Sequence, residues 1–251
     1  MQSAALSGNL NLPESYRCSG EQEEAANLRI GGFEPISFCD WPGEIVATIF
    51  CQGCPWRCPY CHNPALIPAN AKGKHNWEEI VTFLESRRGL IDGVVFSGGE
   101  PTLQAGVTAA VECVRDMGFR IGLHTGGPYP KRLAKILPFL DWVGFDIKAP
   151  MGDYEKITFA KGSGAKAFES LALLHKSGVD FELRTTVHPD LLPSKMLKKL
   201  EKELKALGYS GLRLQKFRSD GVDQELLNKI IRDNARRSSR SGVHTFCNRI
   251  Q

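Results

Sequence analysis

No stretch of the chain is apolar for long. The longest run, around Ile45 to Phe50, falls far short of the roughly 20 residues that a membrane helix needs. The N-terminal MQSAALSGNL has no basic segment leading into an apolar one, so neither a span nor a signal peptide is expected. There is no internal repeat and no low-complexity tract. Nor is charge of one sign in excess: 32 Lys and Arg against 28 Asp and Glu leave +4, too little to point to nucleic acid. With 42% hydrophobic and 24% charged residues, the composition excludes disordered and fibrous classes, and 251 residues suit one domain.

The charge that exists is unevenly placed. Residues 1–28 carry Glu14, Glu21, Glu23 and Glu24 against Arg17, and are expected to form a mobile acidic segment. A basic tail is expected over 232–251; with Lys229, it sets Arg232, Arg236, Arg237, Arg240 and Arg249 against Asp233, which suits a solvated end or a docking surface for an acidic partner. The body of the fold is placed at 29–231.

Eight cysteines would suit a disulfide scaffold only in a short secreted chain. Here four crowd into eleven residues, Cys51 to Cys61, and Cys18, Cys39, Cys113 and Cys247 are scattered. That distribution points to a metal site in a cytoplasmic protein.

Six β-rich runs alternate with helical patterns: 44–50, 93–97, 120–124, 142–148, 180–187 and 212–217 as strands, and 77–89, 104–117, 130–138, 163–177, 194–207 and 223–233 as helices. The fifth helix is the clearest, because Leu197, Leu200, Leu204 and Leu207 make one apolar stripe, with Ser194 able to cap its start and Gly208 its end. Strict alternation predicts parallel strands with right-handed crossovers, as an open doubly wound sheet or a (β/α) barrel. The position of the unusual residues favours the barrel. Gly98-Gly99-Glu100, Thr125-Gly126-Gly127, Asp146 and Lys148, Arg184 and His188, and Gln215 all fall at the C-terminal ends of successive strands, the active face of such a barrel.

The first of these strands runs into FCQGCPWRCPYCHNP, where Cys54, Cys58 and Cys61 are spaced C-x3-C-x2-C and Cys51 stands three residues ahead. Two metals compete. Four thiolates could close on a structural zinc, although zinc ribbons and fingers usually place ~12 to 20 residues between their pairs. Three thiolates on a [4Fe–4S] cluster would leave one iron open.

The C-x3-C-x2-C run, with Tyr60 before its last cysteine, resembles the signature of the radical S-adenosylmethionine (SAM) enzymes. Ser97-Gly98-Gly99-Glu100-Pro101 resembles that family's GGE motif, and GFEPISFCDWPGEIVATIFCQGCPWRCPYCHNP resembles the activating enzymes of glycyl radical enzymes, those of anaerobic ribonucleoside-triphosphate reductase above all. The likeness spans roughly 28–218. It implies an α/β fold, a partial (β/α)6 TIM-like barrel, with one [4Fe–4S] cluster on Cys54, Cys58 and Cys61, and reductive cleavage of SAM to a 5′-deoxyadenosyl radical that abstracts hydrogen from a glycine of the partner. A low-potential electron donor is implied as well.

By the same resemblance Tyr60 lies beside the cluster and SAM, Gly98, Gly99 and Glu100 meet the methionine amino group, and Thr125 belongs to the SAM site. Asp146 and Lys148 match the activators' D-[LI]-K motif, Lys148 meeting the SAM carboxylate. Arg184 is read as a second carboxylate partner or a barrel ion pair, and Gln215 as a nucleoside contact or a backbone partner. Where some formate-lyase activators have D-T-N around a cation, this chain has His124-Thr125-Gly126, which removes the carboxylate. His124 is expected to be a hydrogen-bonded barrel residue, Cys51 a buried small hydrophobe, and His62 a residue that stabilises the loop or tunes the cluster. A formate-lyase activator, a radical SAM enzyme acting on a small molecule, and a zinc-binding interaction module are the alternatives.

Overall fold

The computed structural model describes residues 25–243; the acidic segment up to residue 24 and the last residues of the basic tail lie outside them. Seven strands form one sheet in sequence order: β1 (Ile30–Ser37), β2 (Val46–Cys51), β3 (Gly93–Gly98), β4 (Arg120–Thr125), β5 (Trp142–Asp146), β6 (Asp180–Val187) and β7 (Arg213–Lys216). From β2 to β7 every pair is parallel, which is the expected six-stranded set. The sheet curls as a partial barrel, and β1 is added antiparallel to β2 at its edge.

The helices are α1 (Trp77–Glu85), α2 (Val107–Asp116), α3 (Pro130–Ile136), α4 (Tyr154–Thr158), α5 (Ser163–Ser177), α6 (Ser194–Ala206) and α7 (Gln224–Val243). On α6, Leu200 and Leu204 of the apolar stripe are buried, and Leu207, at its end, is exposed. Ser194 is the first residue of α6 and caps nothing; Pro193 occupies the N-cap, and Gly208 follows the helix at positive φ as expected. The helix expected to end at 233 continues as α7 to Val243, so the basic stretch from residue 232 begins inside a helix. No helix among the described residues is long and apolar enough to cross a membrane.

β1 has no counterpart among the expected strands, and its sequence explains why. IGGFEPIS contains two glycines and a proline and does not alternate, and its pairing with β2 is interrupted by two register shifts. The segment after β1 has a structural task. Trp41 enters the barrel between the first residues of β2, β3 and β5, packs with Val46 and Val95, and stacks on Trp142 at 5.5 Å between ring centroids. A Cβ on Gly122 would lie 2.9 Å from the Trp41 ring, so that glycine makes room for the plug. The N-terminal end of the barrel is thereby filled, and the polar residues gather at the other end.

Candidate active site

The cysteine loop leaves β2 at Gln52 and is held by its own backbone. Gly53, at φ +97°, donates to the Leu66 carbonyl at 2.7 Å, and Cys54 donates to Ile67 at 3.1 Å. The Gln52 side-chain amide donates to the carbonyls of Ala65 and Pro68, and Arg57 N–H reaches the Thr158 carbonyl at 2.9 Å. Trp56, in the middle of the loop, is buried edge-on to Tyr154 and presses on Gly126, where a Cβ would come 2.2 Å from its ring. Gly126, just after β4, thus seats the cysteine loop, a role that the sequence alone does not suggest for Trp56, Tyr154 or Gly126.

Cys54, Cys58 and Cys61 are free and half-buried. Burial pushes the Cys54 thiol up to about 12 and the Cys58 thiol to about 11, and raises Cys61 as well. Negative charge on one raises its neighbours further, while the Lys148 ammonium pulls Cys58 and Cys61 back down. All three are therefore protonated until a cationic centre takes the place of their protons. Cys51 is different: it is fully buried at the end of β2, paired with Gly98, and packed in the main core.

Gly98 and Gly99 are close to the cysteine loop because nothing larger fits. A Cβ on Gly98 would stand 2.4 Å from Cys51 N, and one on Gly99 2.4 Å from Gly53 O. The Glu100 carboxylate is buried and turned inward. It accepts from Thr102 N–H at 3.1 Å, from the Thr102 hydroxyl, from the Thr125 hydroxyl at 2.8 Å and from Gly126 N–H at 3.1 Å. Burial raises its pKa, and these donors oppose the rise. Glu100 and Thr125 are thus brought together, and they tie β3, β4 and the cysteine loop into one unit.

The ends of β4, β5 and β6 carry a charged ladder. Asp146 accepts from Arg184 Nε at 3.1 Å, and Lys148 Nζ lies 3.4 Å from its other oxygen. Burial would raise the Asp146 pKa, but Arg184 and then Lys148 overcome it and hold the carboxyl well below the usual range. The Arg184 guanidinium fits against Gly144, where a Cβ would meet it at 2.7 Å. It makes the ion pair that one of its two readings expects. Gln215 is half-buried on β7, in register with Thr186.

His124 donates from Nε2 to the Asp40 carbonyl at 2.7 Å and accepts at Nδ1 from the Ser97 hydroxyl at 3.1 Å, as a hydrogen-bonded barrel residue. Burial, then the nearby Arg184 charge, lowers its pKa to about 4. The unfolded chain, with an ordinary histidine near 6.5, takes up that proton first. Stability should accordingly be full above about pH 6.5 and fall as pH drops toward 4, by up to about 3 kcal/mol. The loss of Asp146 ionisation adds to the fall below about pH 4. Denaturant midpoints measured from pH 7.5 to 4 check this, and His124→Gln should flatten the upper part of the curve.

One buried hydroxyl bears on the group that the cysteines imply. Among the described residues the Tyr60 hydroxyl, one residue before Cys61, is buried with no partner; the Thr185 hydroxyl is too, but as the residue after Arg184 on β6 it points to the other face of the sheet. The Tyr60 hydroxyl is a donor that a polar ligand beside the cysteines would satisfy. Among the described residues no three His, Cys, Asp or Glu side chains converge on a single ion, yet the three thiols influence one another. Three free thiols with an unpartnered hydroxyl beside them are a donor set that fits a thiolate-bound cluster with a polar ligand beside it.

The radical SAM superfamily profile matches residues 48–205, from β2 to α6. The chain belongs to the radical SAM superfamily. It uses a [4Fe–4S] cluster and SAM, as that family does. Within the family it is similar to activating enzymes. It is 30% identical over 215 residues to the pyruvate formate-lyase-activating enzyme of Clostridium pasteurianum, covering 79% of this chain and 89% of that one. It is 31% identical over 175 residues to the pyruvate formate-lyase 1-activating enzyme of Escherichia coli, covering 64% and 68%. The solved structure of anSMEcpe with bound AdoMet shares the fold, with a TM-score of 0.54 at 20% identity over 66% of this chain and 49% of that one. The protein is thus an enzyme of the glycyl-radical-enzyme activating family.

Proposed function

We propose that the protein installs the glycyl radical of anaerobic (class III) ribonucleoside-triphosphate reductase in the cytoplasm, drawing its electron from an external low-potential donor. The observation that carries the reading is the meeting of three free thiols, the Asp146–Lys148 pair and the unpartnered Tyr60 hydroxyl at one end of an open barrel. When bound, the cluster and SAM supply reductive cleavage of SAM and removal of one hydrogen atom from a glycine Cα.

The chain's own part is to hold and aim. Cys54, Cys58 and Cys61 hold the cluster, and the glycine backbone after β3 approaches the methionine amino group. Glu100 and Thr125 keep that backbone in place. Lys148 takes the SAM carboxylate, Arg184 acts on it through Asp146, and Tyr60 and Gln215 bound the nucleoside. Among the described residues β7 pairs with β6 alone, so the sheet is open on that side, and an open side admits a glycine-bearing loop. Exposed Lys229, Arg232 and Arg236 on α7 offer a basic face to an acidic partner, whose binding salt would weaken.

The test is to mix reduced protein, SAM and the reductase without oxygen and record the electron paramagnetic resonance spectrum. A doublet, split by the remaining α-hydrogen of one glycine, is expected. The similarity to formate-lyase activators makes that lyase the control partner. A signal on the lyase and none on the reductase would replace the proposed partner and keep the chemistry.

A further inference from the structure

An apolar groove of about 500 Å³ runs between α5 and the end of α6, and nothing shows what would cover it. The residue after the last cysteine carries more. His62 Nε2 lies 3.0 Å from the carbonyl oxygen of Arg218, and since a carbonyl only accepts, Nε2 carries the proton and donates. The bond joins the cysteine loop to a segment 156 residues away in sequence.

Two further contacts converge on the same place. Gly221, at φ +75°, lies so close over the His62 backbone that a Cβ would stand 2.4 Å from the His62 carbonyl oxygen. The His62 ring is stacked on Phe217 at 6.3 Å, and Phe217 is held in turn by His188 at 4.6 Å. His188 is fixed by accepting at Nδ1 from Asp190 N–H at 3.2 Å. Beyond Gly221 the chain turns back inward: Val222 and Leu227 are buried, Val222 N–H donates to Ser219, and Leu227 N–H donates to Asp223. Asp223 and Leu226 then face a cavity of about 490 Å³ that Cys54, Cys58 and Cys61 also line.

We propose that His62 is a positioning residue that pins the segment from Phe217 to Leu226 across the cysteine loop and so closes the outer side of the cluster compartment. The tether stands on the chain's own contacts; the closing role rests on the reading of the three cysteines as cluster ligands. With its proton held by Arg218, His62 acts on the cluster by restricting access rather than by touching it. The superfamily profile ends at residue 205, so this wall is built from the part of the chain beyond it.

Two measurements on the full chain separate the tether from the closure. In metal-free protein, His62→Ala should speed amide hydrogen exchange at Val222 and Leu227 roughly fivefold while leaving β2 to β5 unchanged. His62→Gln, which can still donate to Arg218, should recover part of the protection. In anaerobically reconstituted protein, His62→Ala and Gly221→Ala should release iron to a ferrous chelator several times faster from an equal starting load. Unchanged exchange in His62→Ala would overturn the tether, whether or not the variant takes up iron. Faster exchange with unchanged iron release in Gly221→Ala would overturn the closure. Wild-type protein that takes up no iron would sink the cluster reading instead, with the exchange result still deciding the tether.

Discussion

Replacing any one of Cys54, Cys58 and Cys61 with alanine is expected to abolish iron binding and the brown iron–sulfur absorbance, while Cys51→Ala keeps both. The three thiols share one electrostatic environment: Cys54 responds to Cys58 and Cys61, and Cys58 and Cys61 respond to Lys148. Two thiolates cannot retain a cluster built for three, so each loss is all or none. Cys51 is buried in the main core, with its backbone in register with Ile30 and Gly98, and its thiol is raised mainly by burial. Removing its sulfur should cost about 1 kcal/mol of packing and no iron. Iron content and visible absorbance of the four reconstituted variants decide the matter. If Cys51→Ala loses iron as completely as the others, the site is a closed four-cysteine one, and the zinc-module alternative returns.

The cysteine spacing behind that expectation is legible in the sequence, as are GGE and D-I-K, because each is short, local and placed at a strand end. The six parallel strands are legible because each is a compact β-rich run. Features made by distant residues are not. Nothing in CDWPGE announces that Trp41 fills the far end of the barrel, since that depends on Gly122 being opposite and Trp142 beneath it. The inward turn of Glu100 depends on donors from Thr102 and Thr125, one of them a strand away. β1 escapes notice because strand propensity is weak in a Gly-Gly-containing segment that only pairing with β2 makes extended. His62 reads as a loop residue with two tasks open to it, and its partner is a backbone carbonyl, which no side-chain pattern encodes.

The charged ladder separates stability from binding. Asp146 lies between Arg184 at 3.1 Å and Lys148 at 3.4 Å, so Asp146→Ala leaves the two cations without the carboxylate they share. Removing the shared partner of a largely buried pair is expected to cost on the order of 3 kcal/mol, or roughly 6 to 12 °C in Tm for a chain of this size. Lys148→Ala leaves the Asp146–Arg184 bond intact and should alter Tm little. Its effect is expected in SAM affinity, weaker by about 1.5 to 3 kcal/mol, the range for a hydrogen bond to a charged group, or on the order of 10- to 150-fold in Kd. Arg184→Ala decides how the guanidinium works. Its Nε is on Asp146, its Nη2 lies 3.5 Å from the Gly144 carbonyl, and its Nη1 is 3.4 Å from His124. Loss of stability with a smaller change in SAM affinity than Lys148→Ala is therefore the expected outcome. Equal affinity losses in the two variants at unchanged Tm would mean that Arg184 leaves Asp146 to bind the SAM carboxylate directly. Calorimetric Tm and equilibrium SAM binding on the same three reconstituted variants distinguish these outcomes, because the ladder predicts opposite orders for Asp146 and Lys148 in the two measurements.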